Sequence, residues 1–341
     1  MSGFAPSITR VDPSMVMPEI VMQYSMASGA FDILPGGAPT VKIGSGDLVV
    51  YQKYLRMTSQ TQVGQSLAGQ MMSSSVTGGY DQMMTYRISS RSQYSYLDTD
   101  AASRWGYSLT EALRLSNRQG HAQQLRNMLL YGINAANNEG MTNSPNALTI
   151  NLGNDSQGNS GYRTWDNGEL AIFMLDLIST QKTKMMLLGQ PLCTVVLAPQ
   201  RFIQSLSWTG VVQLTSYQRP GAGSATISEM IIGIAEGVNG DKIVFCQDDT
   251  LIGKGAGGSD LILISNPELT VPDAHKSINT NIFQTLTPNQ LSVNMMFTDV
   301  AAPTEIPSPM PDGGVTTLYT ERATPGWNLR PEGLTLLSAK P

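Results

Sequence analysis

The alternation of hydrophobic and polar positions changes several times along this chain. Residues 1–47 keep no steady rhythm. Prolines at 6, 13, 18, 35 and 39 recur among glycines at 29, 36 and 37. Proline fixes φ and removes a donor, which blocks long helices and central strands. The stretch therefore reads as an extended arm, with room for one short helix between Pro18 and Ala30. Residues 47–56 have the Val- and Tyr-rich composition of a strand. Residues 83–96 alternate, with Tyr86 and Ile88 on one face and Arg87 on the other. Between them, residues 58–80 are mostly Ser, Thr, Gln and Gly. The pattern predicts a long two-stranded hairpin with a polar tip. A lone hairpin is marginal in water, so this one needs a surface to lie on.

The rhythm then turns helical. Ser108 and Glu111 stand at capping-box spacing, where the serine accepts from the N3 amide and the acid reaches back. Leu109, Ala112, Leu113, Leu125, Met128, Leu129, Ile133 and Ala136 recur at i, i+3, i+4. They predict a helix over 109–136 with Leu125, Leu129 and Ile133 in the core and a bend near Gly120. At 1.5 Å per residue, about 28 residues make a rod of roughly 42 Å. Asn137, Asn138, Glu139 and Gly140 stop it.

Further on, the pattern is α/β. Asp166 reads as an N-cap with Glu169 at N3, and Leu170, Phe173, Met174, Leu177 and Ile178 form one apolar helical face. Residues 192–197 read as a short buried strand, and Pro199 starts a short helix through Phe202, Ile203 and Leu206. Strands are predicted at 226–234, 242–247 and 260–265, with an exposed loop at 209–225. Residues 267–300 and 315–341 read as mostly β. The Pro-rich insert 301–314 reads as neither helix nor ladder.

Composition adds one departure from the ordinary. Of 341 residues only 14% are charged, against about 25% in a typical soluble domain. Hydrophobic residues are 41%, and Gly (33 residues) with Ser, Thr, Asn and Gln fills the gap. The surface is polar but largely neutral. A net charge of −5 does not fit a charged disordered tail, and a pI near 5.1 does not fit a phosphate-neutralising surface. No apolar run approaches the length of a membrane helix. The first residues lack the basic and apolar regions of a secretory signal. Cys193 and Cys246 cannot build a disulfide framework and read as reduced, buried thiols.

No catalytic constellation emerges. His121 and His275 form no ligand pair with each other or with a cysteine. Residues 253–258 look like a phosphate loop, but Lys254 is followed by Gly255 and then a strand, so they read as a turn. Asp248 and Asp249 read as a solvated acidic turn. No serine sits in a G-x-S-x-G elbow. Methionine doublets at 71–72, 83–84, 185–186 and 295–296 read as adaptable packing. No catalytic residue, cofactor or metal is expected. What remains is an arm, a hairpin, a rod and an α/β lobe. A monomer has little use for protruding elements, whereas an assembling subunit covers its neighbours with them.

This order resembles the major capsid proteins of tailed double-stranded DNA phages, the Hong Kong 97 fold. Local stretches carry the likeness too. Residues 131–145, Tyr-Gly-Ile-Asn-Ala-Ala-Asn-Asn-Glu-Gly-Met-Thr-Asn-Ser-Pro, resemble the exit of that family's spine helix. Residues 165–182 resemble its next helix, 193–202 its strand and Pro-started helix, and 322–334 its closing strands. More narrowly, the chain resembles a subgroup of phage capsid proteins known mainly as an uncharacterised conserved family. The resemblance implies an α+β fold in five segments. These are an N-terminal arm (1–47), an extended loop (48–97), a peripheral domain (98–163) with spine helix 109–136, a mainly axial domain (164–266), and return strands completing the peripheral domain (267–341).

The same resemblance implies a structural, non-enzymatic subunit that self-assembles into an icosahedral shell around packaged DNA. Its expected partners are copies of itself in hexamers and pentamers, a portal, a scaffold and decoration proteins. DNA is enclosed rather than specifically bound, and no membrane is involved. The expected location is the virion capsid, assembled in the host bacterial cytoplasm. Arg56, Arg87 and Arg91 are expected to contact acidic or backbone groups of neighbours, Tyr94 and Tyr96 to pack where the extended loop joins the body, and Trp327 and Arg330 to anchor the closing strands. Some relatives join a Lys to an Asn between subunits; Lys53 and Asn328 match by region only. Many relatives begin with a charged helical segment that a protease removes; none is seen here, which implies a separate scaffold or none. The alternatives are an encapsulin-like compartment shell, a tail or baseplate subunit, and an enzyme with a distant carboxylate site.

Overall fold

A computed structural model describes residues 43–58, 75–165, 167–184, 193–206, 231–233, 242–266, 296–298, 300–311, 313–328 and 331–341. In chain order the elements begin with β1 (Val49–Thr58), β2 (Ser75–Met84), β3 (Tyr86–Tyr94), α1 (Tyr96–Arg104) and α2 (Leu109–Tyr131). Then come β4 (Leu148–Asn151), α3 (Asn167–Lys184), β5 (Cys193–Ala198), α4 (Gln200–Leu206), β6 (Lys242–Gln247) and β7 (Asp260–Ser265). The chain closes through β8 (Met296–Phe297), β9 (Thr304–Pro309), β10 (Val315–Ala323), β11 (Trp327–Asn328) and β12 (Leu334–Ala339).

The core is a mixed sheet in the order β4-β12-β7-β5-β6. Both its faces are covered, which is why its inner strands are apolar at nearly every position rather than alternating. Successive side chains of a strand point to opposite faces. Leu261 and Leu263 of β7 thus meet Leu125, Met128, Leu129 and Leu130 of α2. Ile262 and Ile264 meet Leu170, Met174, Leu177 and Ile178 of α3 and Phe202 and Leu206 of α4. Each such side chain, fully buried, contributes about 1.5–3 kcal/mol. The sheet draws on segments as distant as residues 148 and 339, and β12 lies between β4 and β7. The buried amide of Gln181 ties α3 to this sheet: its Nε2 donates to Asn266 Oδ1 and to the carbonyl of Gly333, and its Oε1 accepts from Thr335.

A second sheet, β3-β10-β9, lies against α2, and α1 packs on α2. Here sequence expectation and structure part company in several places. The strand that pairs with β1 is β2, in register from Val49 opposite Met84 to Thr58 opposite Ser75. Residues 86–94 are not the hairpin's second arm but β3 of the body sheet, paired with β10. Only Thr85 separates the two strands; its amide donates to the Leu48 carbonyl and its hydroxyl to that of Asp47. The Pro-rich insert contains a ladder strand after all. Pro307 and Pro309 are tolerated because β9 pairs with β10 on one side only, so it is an edge strand. Residues 231–233 are helical where a strand was expected, and Ile231 is fully buried.

The long helix is 23 residues, ending at Tyr131 rather than 136. Gly132 takes φ 66°, and a Cβ there would lie 2.6 Å from the Glu139 backbone, so the chain turns where only glycine fits. Ile133 is consequently outside the helix and 51% exposed, not core. Ser108 caps the helix by accepting from the Glu111 amide, but the Glu111 side chain pairs with Arg114 instead of completing the box. The complete capping box is the unforeseen one at Ser95 and Asp98, which starts α1. Asp248 is not solvated: it is buried and its carboxylate accepts from the amide and hydroxyl of Thr250. Asp249 accepts from the first amide of α4.

Candidate assembly surfaces

The hairpin β1–β2 stands off the body. At its base Met83 and Trp327 are buried together with Val50 packed beside them. Away from the base, β2 is almost wholly exposed. Tyr51 and Tyr80 meet edge to face at 5.6 Å, yet remain 60% and 67% exposed, and Val76 and Met84 are also exposed. Lys53 is exposed opposite Tyr80. Arg56 lies on β1 opposite Thr77. Lys53 and Asn328 make no bond with each other within the chain; Asn328 lies on β11, opposite Met296. Arg330, residues 1–42, 59–74 and 209–225 and His275 lie outside the described residues.

The body sheet has two unlike faces. Tyr86, Ile88, Ser90 and Tyr94 are half-buried, while Arg87 and Arg91 point the other way and are exposed. In register, Arg87 stands directly opposite Arg322. Like charges so placed are destabilising. Hydrogen bonds spread the cost: Arg87 Nε donates to Thr320 Oγ1 at 2.9 Å, and Arg322 Nη1 donates to the Asp47 carbonyl and Thr85 Oγ1, each at 3.0 Å. Among the described residues no carboxylate pairs with Arg87, Arg91 or Arg322. The acids of β9 and β10 are engaged elsewhere, Glu305 with Arg114 and Glu321 with His121. Tyr94 lies beside Leu113 and Arg114, and Tyr96, at the start of α1, is 66% exposed.

His121 is a buried strut. Its Nδ1 lies 3.3 Å from Glu321 Oε2, its Nε2 3.1 Å from Ser90 Oγ, and its ring meets Tyr319 edge to face at 4.5 Å. It fixes the middle of α2 to the sheet. The exit of α2 is fixed by a residue the sequence pattern did not single out for any role beyond a helix stop. Glu139 is fully buried and accepts from Tyr86 OH (2.6 Å), the amides of Asn134 (2.8 Å) and Ile133 (3.1 Å), and Asn137 Nδ2 (3.3 Å). Burial pushes its carboxyl up, but these donors together outweigh burial and hold it below the ordinary range. Burial and the bond to Glu139 push the Tyr86 phenol up to about 12.

A second buried carboxylate organises the far side. Asp260 accepts from Tyr162 OH at 2.9 Å, from the Gly253 amide at 3.2 Å, and from both Arg201 Nε and Nη2. Burial opposes its charge, and Arg201, Tyr162 and Gly253 more than compensate, so its carboxyl also sits low. Burial and the bond to Asp260 push the Tyr162 phenol up to about 12. The glycine-rich stretch 253–258 is the turn that delivers the Gly253 amide to this site, and Lys254 lies over the Tyr131 ring at 5.6 Å. The carboxylates of Glu139 and Asp260 are hydrogen-bonded within the chain. Among the described residues no group of three metal-ligating side chains occurs, and no helix is long and apolar enough to cross a membrane.

No protein-family model and no curated protein matches the chain. Solved structures do. The capsid protein of Myoviridae phage XM1 superposes with TM-score 0.62 at 10% identity, covering 95% of this chain and 96% of that one. The capsid of cyanophage P-SCSP1u gives 0.59 at 12% identity over 100% of both chains. The mature capsid of bacteriophage PhiM1 gives 0.55 at 11% identity over 96% and 92%. The chain has the Hong Kong 97-type capsid fold. At 10–12% identity this likeness shows the fold and assigns no contact residue. Arg87, Arg91 and Tyr96 are presented to the outside by the Hong Kong 97-type body sheet and α1, whereas Trp327 is buried at the hairpin base.

Proposed function

We propose that this protein is the main shell subunit of a tailed-phage head. It tiles a closed icosahedral lattice by self-association and encloses packaged double-stranded DNA without reading it. The observation that carries this reading is a capsid fold matched along its whole length, joined to a hairpin whose aromatic face nothing within the described chain covers. Exposed Tyr51, Tyr80 and Val76 are stabilised once a neighbour covers them, and such contacts repeat at every position of a lattice. In this reading residues 1–47 form the arm, 48–84 the extended loop, α2 the spine, and β3, β9 and β10 the peripheral sheet. The role is mechanical and uses no catalytic centre. Scaffold, portal and decoration proteins are further partners, and the subunit resides in the virion after assembly in a bacterial cytoplasm.

Electron microscopy of the purified full-length protein tests this. Rings or closed shells are expected, and a monomer that persists at high concentration overturns the reading. Nucleic acid inside particles recovered from infected cells separates a phage head from a shell that stores an enzyme.

A further inference from the structure

On the face of the body sheet turned away from α2, two arginines share a groove of about 280 Å³. Arg87 of β3 stands opposite Arg322 of β10, which sets their Cβ atoms about 4.5–5.5 Å apart. Each guanidinium bonds the protein with one part and leaves a separate fork of donors open. Arg87 uses Nε on Thr320, which leaves its Nη1 and Nη2 end. Arg322 uses Nη1 on Asp47 and Thr85, which leaves its Nε and Nη2 edge. The Nε of Arg322 is shut off from solvent and meets no acceptor among the described residues. A buried N–H of a charged group in that state calls for an explanation. The nearby acids do not supply one. The Asp47 carboxylate accepts from the Gly44 amide at 2.7 Å, and Glu321 alternates to the opposite face of β10, where it meets His121.

We propose that this groove binds a small free oxyanion of the phosphate type between the guanidiniums of Arg87 and Arg322. A water molecule satisfies one donor but leaves two like charges facing each other. A dianion satisfies both forks and neutralises the pair. Forked N–H donors match paired oxygens, and such charge-assisted bonds are about twice as strong as neutral ones. Ser45, Thr304 and Thr320 add hydroxyls to the lining, and Ala301 and Ala302 add little bulk. Among the described residues no aromatic side chain lines the groove, so a nucleic-acid base has nothing to stack on and a strand is the poorer fit. The site also stands at a joint. Arg322 bonds Thr85, the single residue between β2 and β3, and Asp47, just before β1. A bound oxyanion therefore ties both ends of the hairpin base to β3 and β10. The inference is independent of the shell reading and assigns the body a ligand of its own.

Calorimetric titration of the full-length protein with inorganic phosphate, against chloride at equal ionic strength, tests the site. One saturable site per chain is expected, and matched ionic strength removes general screening as its cause. Arg87→Gln should weaken binding about tenfold or more, and Arg87→Lys, which keeps the charge but loses the fork, should weaken it too. Without phosphate, Arg87→Gln should melt no lower than the parent in low salt, since it relieves the facing charges. Arg91→Gln removes a charge from the same face outside the groove and should bind phosphate like the parent. At about ten times its dissociation constant, phosphate should raise the parent's melting midpoint by about 2–3 °C and that of Arg87→Gln by less. No saturable binding by the parent, or equal binding by Arg87→Gln, overturns the proposal. Binding by free subunits that vanishes in assembled shells gives the site to a neighbour's carboxylate and overturns the assignment to a free ion. Displacement of the phosphate by a short single-stranded oligodeoxynucleotide gives the site to nucleic acid and overturns it equally.

Discussion

Glu139→Ala is the most informative single substitution. The carboxylate is fully buried and accepts four hydrogen bonds, from Tyr86, Ile133, Asn134 and Asn137. Bonds to a charged acceptor contribute about 1.5–3 kcal/mol each, and a buried donor left unpaired costs about 1–3 kcal/mol. The four are not additive, because they share one acceptor and the Asn137 side chain is exposed and rehydrates. Counting chiefly Tyr86 OH and the two amides, the expected loss is about 3–4 kcal/mol, a large part of a typical total of 5–15 kcal/mol. In urea unfolding of the unassembled subunit, with a slope of about 3 kcal/mol/M, the midpoint should drop by about 1 M. Glu139→Gln should recover only part of this, since its amide group confronts donors. A Tyr86→Phe, Glu139→Ala cycle should show coupling of about 1 kcal/mol or more. A Glu139→Ala midpoint within about 0.2 M of the parent would refute the claim that this carboxylate holds the α2 exit to β3.

Acid should act through the same group. Glu139 and Asp260 have folded pKa values below their ordinary 4.5 and 3.8. Below those values the unfolded chain binds protons first, so their stabilisation is complete above about pH 4.5 and lost as pH falls through the lowered folded values. Stability measured from pH 6 downward should fall along this limb, and Glu139→Gln should flatten it. Leu129, fully buried between α2 and the central sheet, should tolerate no charge; Leu129→Asp is expected to abolish soluble expression, and Leu129→Ala to lose about 2–5 kcal/mol in a denaturant titration. Gly326 has no room for a side chain, because a Cβ would meet the Leu129 carbonyl and lie 2.8 Å from its Cδ1; Gly326→Ala should lower the thermal midpoint, with a cost of about 1–3 kcal/mol. Replacing residues 59–74 by Asn-Gly joins Thr58 to Ser75, which are register partners. Light scattering should then show a folded subunit that makes no shells; normal particles would remove the extended hairpin from the assembly.

The sequence by itself determined the elements whose signal is local. Apolar spacing along 109–130, the buried runs at 193–197, 242–247 and 260–265, and the Pro199 helix start follow from periodicity and caps, which neighbouring residues set. The order of those elements was enough to suggest the capsid fold. What only the tertiary structure decided is pairing and satisfaction. Residues 86–94 alternate equally well as a hairpin arm or as a body strand, and the choice fell to β10, more than 200 residues away. The insert at 301–314 reads as loop until an edge is available to take its prolines. Ile133 keeps helical spacing, but the contact between Gly132 and Glu139 ends the helix first. Glu139, Asp260 and Glu321 are ordinary acids in the sequence; they become fixed points where folding brings Tyr86 to Glu139 beside its local donors, Tyr162 and Arg201 to Asp260, and His121 to Glu321. Low charge is legible in composition, but which neutral surface stays open is not. Among the described residues the outer edge of β3 stays open because β10, from the far end of the chain, takes only its other edge.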